Sequence, residues 1–314
     1  MVRDDLPGGV IVEGVPTAES PSRMPPLRAM LLLSGSLRSA DFAAAIQRSP
    51  LDLPISADRL LRELWAEAAI DVARQTGRER LAIRIIADRD AFLPALEETA
   101  KADVQVERDP TDFRGTGGVL HDSTAVYADE DYVLVGNAAQ MPLRPLGGLV
   151  REMAATGADI TLVSHADGTH SGLMWIRCGC LRLIPEVGFV DMKEQALPML
   201  ARTCRVAVVH RQYPTTLPVR TPSDYVAALR RYHASVDSDA SLAGPFAEDW
   251  YPKFAIVERG AEVAAGACIH DSIVLRGGRV ERGATVVRSV VCPGGVVHRN
   301  SVVVDELVSP LGEN

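Results

Sequence analysis

The stretch VERGAEVAAGACIHDSIVLRGGRVERGATVVRSVVCPGGVVHRNSVVV, residues 257–304, decides the fold of the C-terminal part of this 314-residue chain. Its apolar residues Val257, Val263, Ile269, Leu275, Val280, Val286, Cys292, Val297 and Val303 step forward by 6, 6, 6, 5, 6, 6, 5 and 6. Three residues after each of the first eight stands Gly260, Gly266, Ser272, Gly278, Gly283, Ser289, Gly295 or Asn300. An apolar residue followed at a fixed offset by one that tolerates a left-handed backbone is what a short strand and its corner require. Val263, Val280 and Val297 begin three aligned stretches 17 residues apart. Self-similarity at that period predicts a small parallel β-helix, each coil burying the apolar face of the next.

Working upstream, residues 235–252 are rich in Ser, Asp, Ala and Gly and read as a linker into a β-helix over 253–308, with 309–314 as a tail. Before the linker, strand and helix alternate. The apolar run Ala29 to Leu33 suits a strand buried on both faces. A helix capped by Ser56 follows, with Leu60, Leu61, Leu64, Trp65, Ala68, Ala69 and Val72 at helical spacing and Gly77 as its stop. Further strands are expected at Leu81 to Ile86, Val104 to Glu107, Tyr132 to Val135, Ile160 to Val163, Leu173 to Arg177 and Arg205 to Val209. Helices are expected at Asp90 to Ala100, Gly117 to Val126, Leu146 to Thr156, Asp191 to Leu200 with Glu194 completing a capping box, and Pro222 to His233. This rhythm predicts an α/β domain over 27–234 with a doubly wound, mostly parallel sheet. Ligands in such sheets lie beyond the C-terminal strand ends, here the loops after Leu33, Glu107 and Val135.

Residues 1–26, with five prolines, read as a flexible leader able to form at most a short strand at Gly8 to Gly14. Acids and prolines stand where a secretory signal needs a basic start and an apolar run, and no window approaches a membrane span. The five cysteines are an odd number and fit a reducing compartment, so a cytoplasmic location is expected. They lack paired metal-ligand spacing, and no metal site is predicted. Net charge is −8 without any basic run, which speaks against nucleic acid. Lysine is confined to Lys101, Lys193 and Lys253, so a phosphate site must rely on arginine, helix N-termini or glycine-rich backbone.

Gly115-Thr116-Gly117-Gly118-Val119-Leu120 resembles the Gly-Thr-Ala-Gly-Ala-Leu turn of the sugar-nucleotide pyrophosphorylases, the NDP-sugar nucleotidyltransferases. Gly188 to Glu194 resembles their Phe-Phe-Asp-Leu-Lys-Glu segment, and Thr221-Pro222-Ser223-Asp224-Tyr225 resembles their Thr-Pro-Glu-Asp-Tyr. The resemblance spans about residues 28–308, in the family's order. It implies a nucleotidyltransferase-like, Rossmann-like sheet followed by a left-handed β-helix of hexapeptide repeats. It also implies nucleotide contacts from Gly35, Gly115, Thr116, Gly117, Gly118 and Asn137, with Arg38 as candidate phosphate contact.

The family's catalytic segments are reduced. Its glycine-rich loop after the first strand is here Ser34-Gly35-Ser36-Leu37-Arg38, and its phosphate-binding lysine segment falls near Arg48-Ser49-Pro50-Leu51-Asp52-Leu53-Pro54 without a lysine. Asn137 stands where the family places a metal carboxylate, and Pro218-Val219-Arg220 where it places the second. An amide holds magnesium weakly, because it lacks charge. Between Val163 and Gly172, where the family carries its sugar-binding stretch, only His165 to Ser171 bridge the gap, and His165, Asp167 and His170 read as a polar turn. The expectation is a catalytically degenerate homologue, binding a nucleotide or nucleotide sugar and acting as a regulatory or assembly subunit. Its β-helix would join a second copy or an active paralogous subunit. One alternative is an active enzyme that binds Mg2+ through Asp41, Asp129 or Asp131 and phosphate through Arg38. The other is a hexapeptide acyltransferase with His270 or His298 as base.

Overall fold

The computed structural model describes residues 24–35, 40–95, 103–109, 113–166, 168–236 and 254–310. The proposed strand at Gly8 to Gly14 lies outside them. In chain order the first half runs β1 (Leu27–Ser34), α1 (Ala40–Ile46), β2 (Pro54–Ser56), β3 (Arg59–Leu60), α2 (Leu61–Gln75), β4 (Ala82–Ala87), β5 (Val104–Arg108), α3 (Gly115–Ser123) and β6 (Tyr132–Asn137). Then come β7 (Gln140–Pro142), α4 (Gly147–Ala155), β8 (Ile160–His165), β9 (His170–Arg177), α5 (Cys178–Leu181), α6 (Leu197–Leu200), β10 (Val206–Arg211), β11 (Thr216–Pro218) and α7 (Pro222–Val236).

Seven strands form one sheet in the order β10-β8-β9-β6-β1-β4-β5. Only β9 runs antiparallel to its neighbours, so the sheet is mixed but mostly parallel. Along β1 the burial follows the two-residue strand period. Met30 and Leu32 enter a core shared with α2, α4 and α7, while Ala29 and Leu31 enter a second core with α3, α5 and the 192–200 segment. Both faces of the sheet are therefore covered, as an apolar parallel strand requires.

Several local expectations are corrected. Ser56 does not cap α2: it ends β2, and the chain passes through β3 before the helix starts at Leu61. The free Leu60 N–H donates instead to Glu63 Oε2 at 3.1 Å. No helix forms over the described residues 90–95, where Ala95 N donates to Asp52 Oδ2. Asp191 accepts from Lys193 N and Glu194 N as an N-cap should, but the reciprocal contact to its own N–H comes from Gln195, not Glu194. The reason is a π-helical turn at Met192–Ala196, whose wider ring moves the reciprocal position one residue on. Thr221 Oγ1 caps α7 by accepting from Asp224 N.

The C-terminal part winds through β12 (Ala255–Val257), β13 (Glu262–Val263), β14 (Cys268–His270), β15 (Ser272–Val274), β16 (Arg279–Val280), β17 (Thr285–Val287), β18 (Val290–Val291), β19 (Val296–Val297), β20 (Val302–Val304) and β21 (Leu307–Val308). They form three parallel sheets, β12-β15-β18-β21, β13-β16-β19 and β14-β17-β20, as in a β-helix. Each paired strand lies 17 residues from its partner: Ile256 pairs with Ile273, Val263 with Val280, and Ile269 with Val286.

The sequence register was wrong on one face. Leu275 and Cys292 do not point into the coil: they join the α/β core, and Val274 and Val291 fill the interior beside Val280, Val286 and Val297. The left-handed corners on two sides are likewise Asp271, Gly277, Arg288 and Gly294, not Ser272, Gly278, Ser289 and Gly295. The corrected interior series is Val257, Val263, Ile269, Val274, Val280, Val286, Val291, Val297, Val303 and Val308, with steps that repeat as 6, 6 and 5. Each coil thus has one short corner, occupied by Asp271, Arg288 and Asp305 at φ of 44°, 46° and 58°. Arg288 Nη2 and Asp305 Oδ2 pair there at 2.6 Å.

The outer face of the β12-β15-β18-β21 sheet packs against the α/β domain. Ile256, Ile273, Leu275, Val290 and Cys292 share its core, and His233 stacks on Phe254 with ring centroids 5.4 Å apart. Two ion pairs flank this junction, Arg48 with Glu258 and Arg230 with Asp271, each at 2.7 Å.

Candidate functional site

A cleft of about 420 Å³ opens beyond the C-terminal ends of β1, β4 and β5. Ser34 and Gly35 come to it from β1, Asp88 to Phe92 from β4, Asp109 from β5, Phe113 from the approach to α3, and Arg48 and Pro50 from the turn after α1. The loops after Leu33 and Glu107 agree with the expectation, but the third loop is the one after β4, and no residue of the expected loop after Val135 lines the cleft. Gly35 leaves room for a carboxylate, since a Cβ there would lie 3.2 Å from Asp88 Oδ2. Ser34 Oγ is buried without a hydrogen-bond partner among the described residues. Buried hydroxyls are normally satisfied, and this one lines the cleft, where an incoming group can reach it. Phe92 and Phe113 supply the exposed apolar walls, and Phe113 is held at a left-handed φ of 59°.

Arg38 lies outside the described residues, as does the side chain of Asp41. Two cations line the described cleft: Arg89, from the loop after β4, and Arg48, which no expectation from the sequence named as a ligand contact. Its Nη1 donates to Glu258 Oε1 at 2.7 Å, 210 residues away in the chain. Asp52, which sequence alone placed as an obstacle to anions, is taken up by Arg62 and by Ala95 N.

The Gly115 to Gly118 turn opens α3 two residues beyond Phe113. Its glycines admit protein: a Cβ on Gly115 or Gly117 would stand 2.6 or 2.9 Å from Val190 O, and one on Gly118 would meet the Arg114 guanidinium at 3.0 Å. Thr116 Oγ1 accepts from Met192 N at 2.9 Å. The two segments singled out in the sequence, 115–120 and 188–194, are thus one tertiary unit. Arg114 locks it, donating to Gly188 O and pairing with Asp122 at 3.0 Å. Burial works against the Asp122 carboxylate, but hydrogen bonds from Arg114 and His121 and their charges outweigh it and hold its pKa below the usual range.

Asn137 ends β6 beside Leu33. Its Oδ1 accepts from Ala139 N at 2.8 Å, an Asx turn that uses the amide locally. Asp129 and Asp131 precede β6, at the opposite end of the strand from the cleft. A six-residue strand spans roughly 20 Å, so neither carboxylate reaches the cleft. Asp131 is buried against Arg28 at 2.8 Å, and Asp129 is an exposed partner of Arg182.

At the ends of β8 and β9 the chain turns back at once: His165 N donates to Thr169 O at 2.8 Å and Gly168 N to His165 O at 2.9 Å. His165 is buried between Thr169 and Thr215, its Nε2 accepting from Thr215 N. Asp167 lies outside the described residues. His270 is partly buried, whereas His298 is mostly exposed with Glu281 4.0 Å away. Among the described residues no group of three or more His, Cys, Asp or Glu is placed to hold a metal ion, and no helix is long and apolar enough to cross a membrane.

No family model matches the chain, and no curated protein does. Among solved structures it is similar to HddC from Yersinia pseudotuberculosis, over 67% of this chain and 100% of that one, with 15% identity and a TM-score of 0.48. An overlap that low carries no functional inference, and the chemistry of the cleft is set by the chain's own residues.

Proposed function

We propose that this protein is a sugar-nucleotide pyrophosphorylase-like chain that has lost nucleotidyl transfer and acts as a nucleotide- or nucleotide-sugar-binding regulatory or assembly subunit in the cytoplasm. The observation that carries the reading is the tight β8–β9 turn. Only four residues separate its antiparallel strands, β8 ending at His165 and β9 beginning at His170, too few to build a wall that holds a sugar phosphate. Transfer between two phosphorylated anions also needs carboxylates for a divalent ion, and Asn137 offers an amide already used in its own turn. The cleft beyond β1, β4 and β5, with a Ser34 hydroxyl that has no partner among the described residues and the Phe92 and Phe113 walls, supports retained binding of a nucleoside moiety.

The three parallel sheets agree with a left-handed hexapeptide β-helix, and its exposed Val302 and Val304 supply an apolar strip for a second copy or an active paralogue. Isothermal titration of the full chain with nucleoside triphosphates and nucleotide sugars, with and without magnesium, tests the reading. Magnesium-independent binding with no release of pyrophosphate from sugar 1-phosphate and triphosphate is expected. Turnover at rates typical of enzymes, about 1 per second or more, overturns it.

A further inference from the structure

We propose that Glu258, supplied by the β-helix, sets the affinity of the cleft for phosphate-bearing ligands by occupying Arg48. This rests on the cleft reading above. Arg48 lines the cleft, and its Nη1 donates to Glu258 Oε1 at 2.7 Å. The two side chains are only 18% and 12% exposed, so each is the other's main source of charge compensation. Glu258 has two further anchors besides Arg48. Its Oε2 accepts from Arg276 N at 2.7 Å, and its own N–H donates to Val274 O at 2.9 Å. The first coil of the β-helix therefore presents an anchored carboxylate to one of the two arginines that line the cleft.

A phosphate group entering beside Ser34 must compete with that carboxylate for the guanidinium. Binding in the cleft and formation of the Arg48–Glu258 pair are consequently linked, and the linkage is reciprocal. Arg230 with Asp271 supplies the contrast: an ion pair of the same length at the same junction, outside the cleft.

The test is isothermal titration of the full-length protein with inorganic pyrophosphate, comparing the wild type with E258Q and R230Q. Glu258→Gln is expected to tighten binding about threefold to tenfold, because the competing charge is gone. R230Q weakens the same junction and is expected to leave the affinity unchanged. Affinity in E258Q equal to or below that of the wild type overturns the inference while leaving the cleft as a binding site. Failure of both proteins to bind pyrophosphate overturns the cleft reading itself, and the inference with it. A variant-free measurement guards against misfolding of E258Q. In the wild type, pyrophosphate is expected to speed amide exchange at Arg276 several-fold as Glu258 loses its partner. Unchanged exchange at saturating pyrophosphate counts against the linkage.

Discussion

Gly115 combines a left-handed φ of 68° with a backbone oxygen 2.6 Å from where a Cβ would stand. Gly115→Ala is therefore expected to cost about 2–4 kcal/mol, from strain and from displacement of the Val190 strap, read as a fall in the denaturation midpoint. The sequence marked this residue, but as a ligand contact; its packing role was hidden because Val190 lies 75 positions away. Trp65 was legible as a helix-face residue, and its indole is also polar cement, donating Nε1–H to Gln140 O at 3.0 Å. The cysteines carry a pH prediction. Burial pushes the thiols of Cys178 and Cys292 up to about 11 and about 12, so the folded chain holds protons that the unfolded chain releases near pH 8.5. Stability is fully present below that pH and is lost as pH rises toward 11. Urea midpoints measured from pH 7 to 10.5 should fall accordingly. Only Cys268 is exposed, so a thiol reagent at pH 8 should label one cysteine of the native protein quickly.

Among the elements, strands with one dry face announced themselves and those with two did not give their phase away. Ile273-Val274-Leu275 and Val290-Val291-Cys292 are apolar throughout, because one side faces the coil interior and the other the α/β domain. Alternation, the signal that fixes register, vanishes when both sides are buried. Glycines at or next to the corners were legible as a class, yet they divide into two kinds. Gly266 sits at φ 81° with nothing within 4 Å of a Cβ, whereas a Cβ on Gly295 would be 2.4 Å from Val308 O. Gly266→Ala should cost about 1 kcal/mol from the backbone alone, and Gly295→Ala clearly more, because a strand must move. Thermal melts of the two variants check the order. The irregular 88–95 segment, expected to turn helical from Asp90 onward, follows β4 into the cleft, where Asp88 and Phe92 are presented by a loop.

At the scale of the whole molecule, strand–helix alternation and the 17-residue period predicted both architectures, but nothing local predicted that they share a core. Leu275 and Cys292 are fully buried because the α/β domain covers them. Calorimetry should accordingly find one cooperative transition instead of two, and Leu275→Arg should lower it by uncoupling the parts, with a cost of roughly 3 kcal/mol or more. The same remoteness explains why Glu258 could not be assigned to the cleft: its partner is 210 residues distant, and neither segment carries a mark of the other. The 6-6-5 rhythm also makes the molecule extensible. Duplicating residues 288–304 inserts one complete turn of the coil, restores every pairing above and below it, and moves the free end outward by about 4.8 Å without altering Glu258 or the cleft. Whatever grips that end then meets the cleft at a reach that changes only in whole coils, so the spacing between the two is fixed by a count, not by the flexibility of a tether.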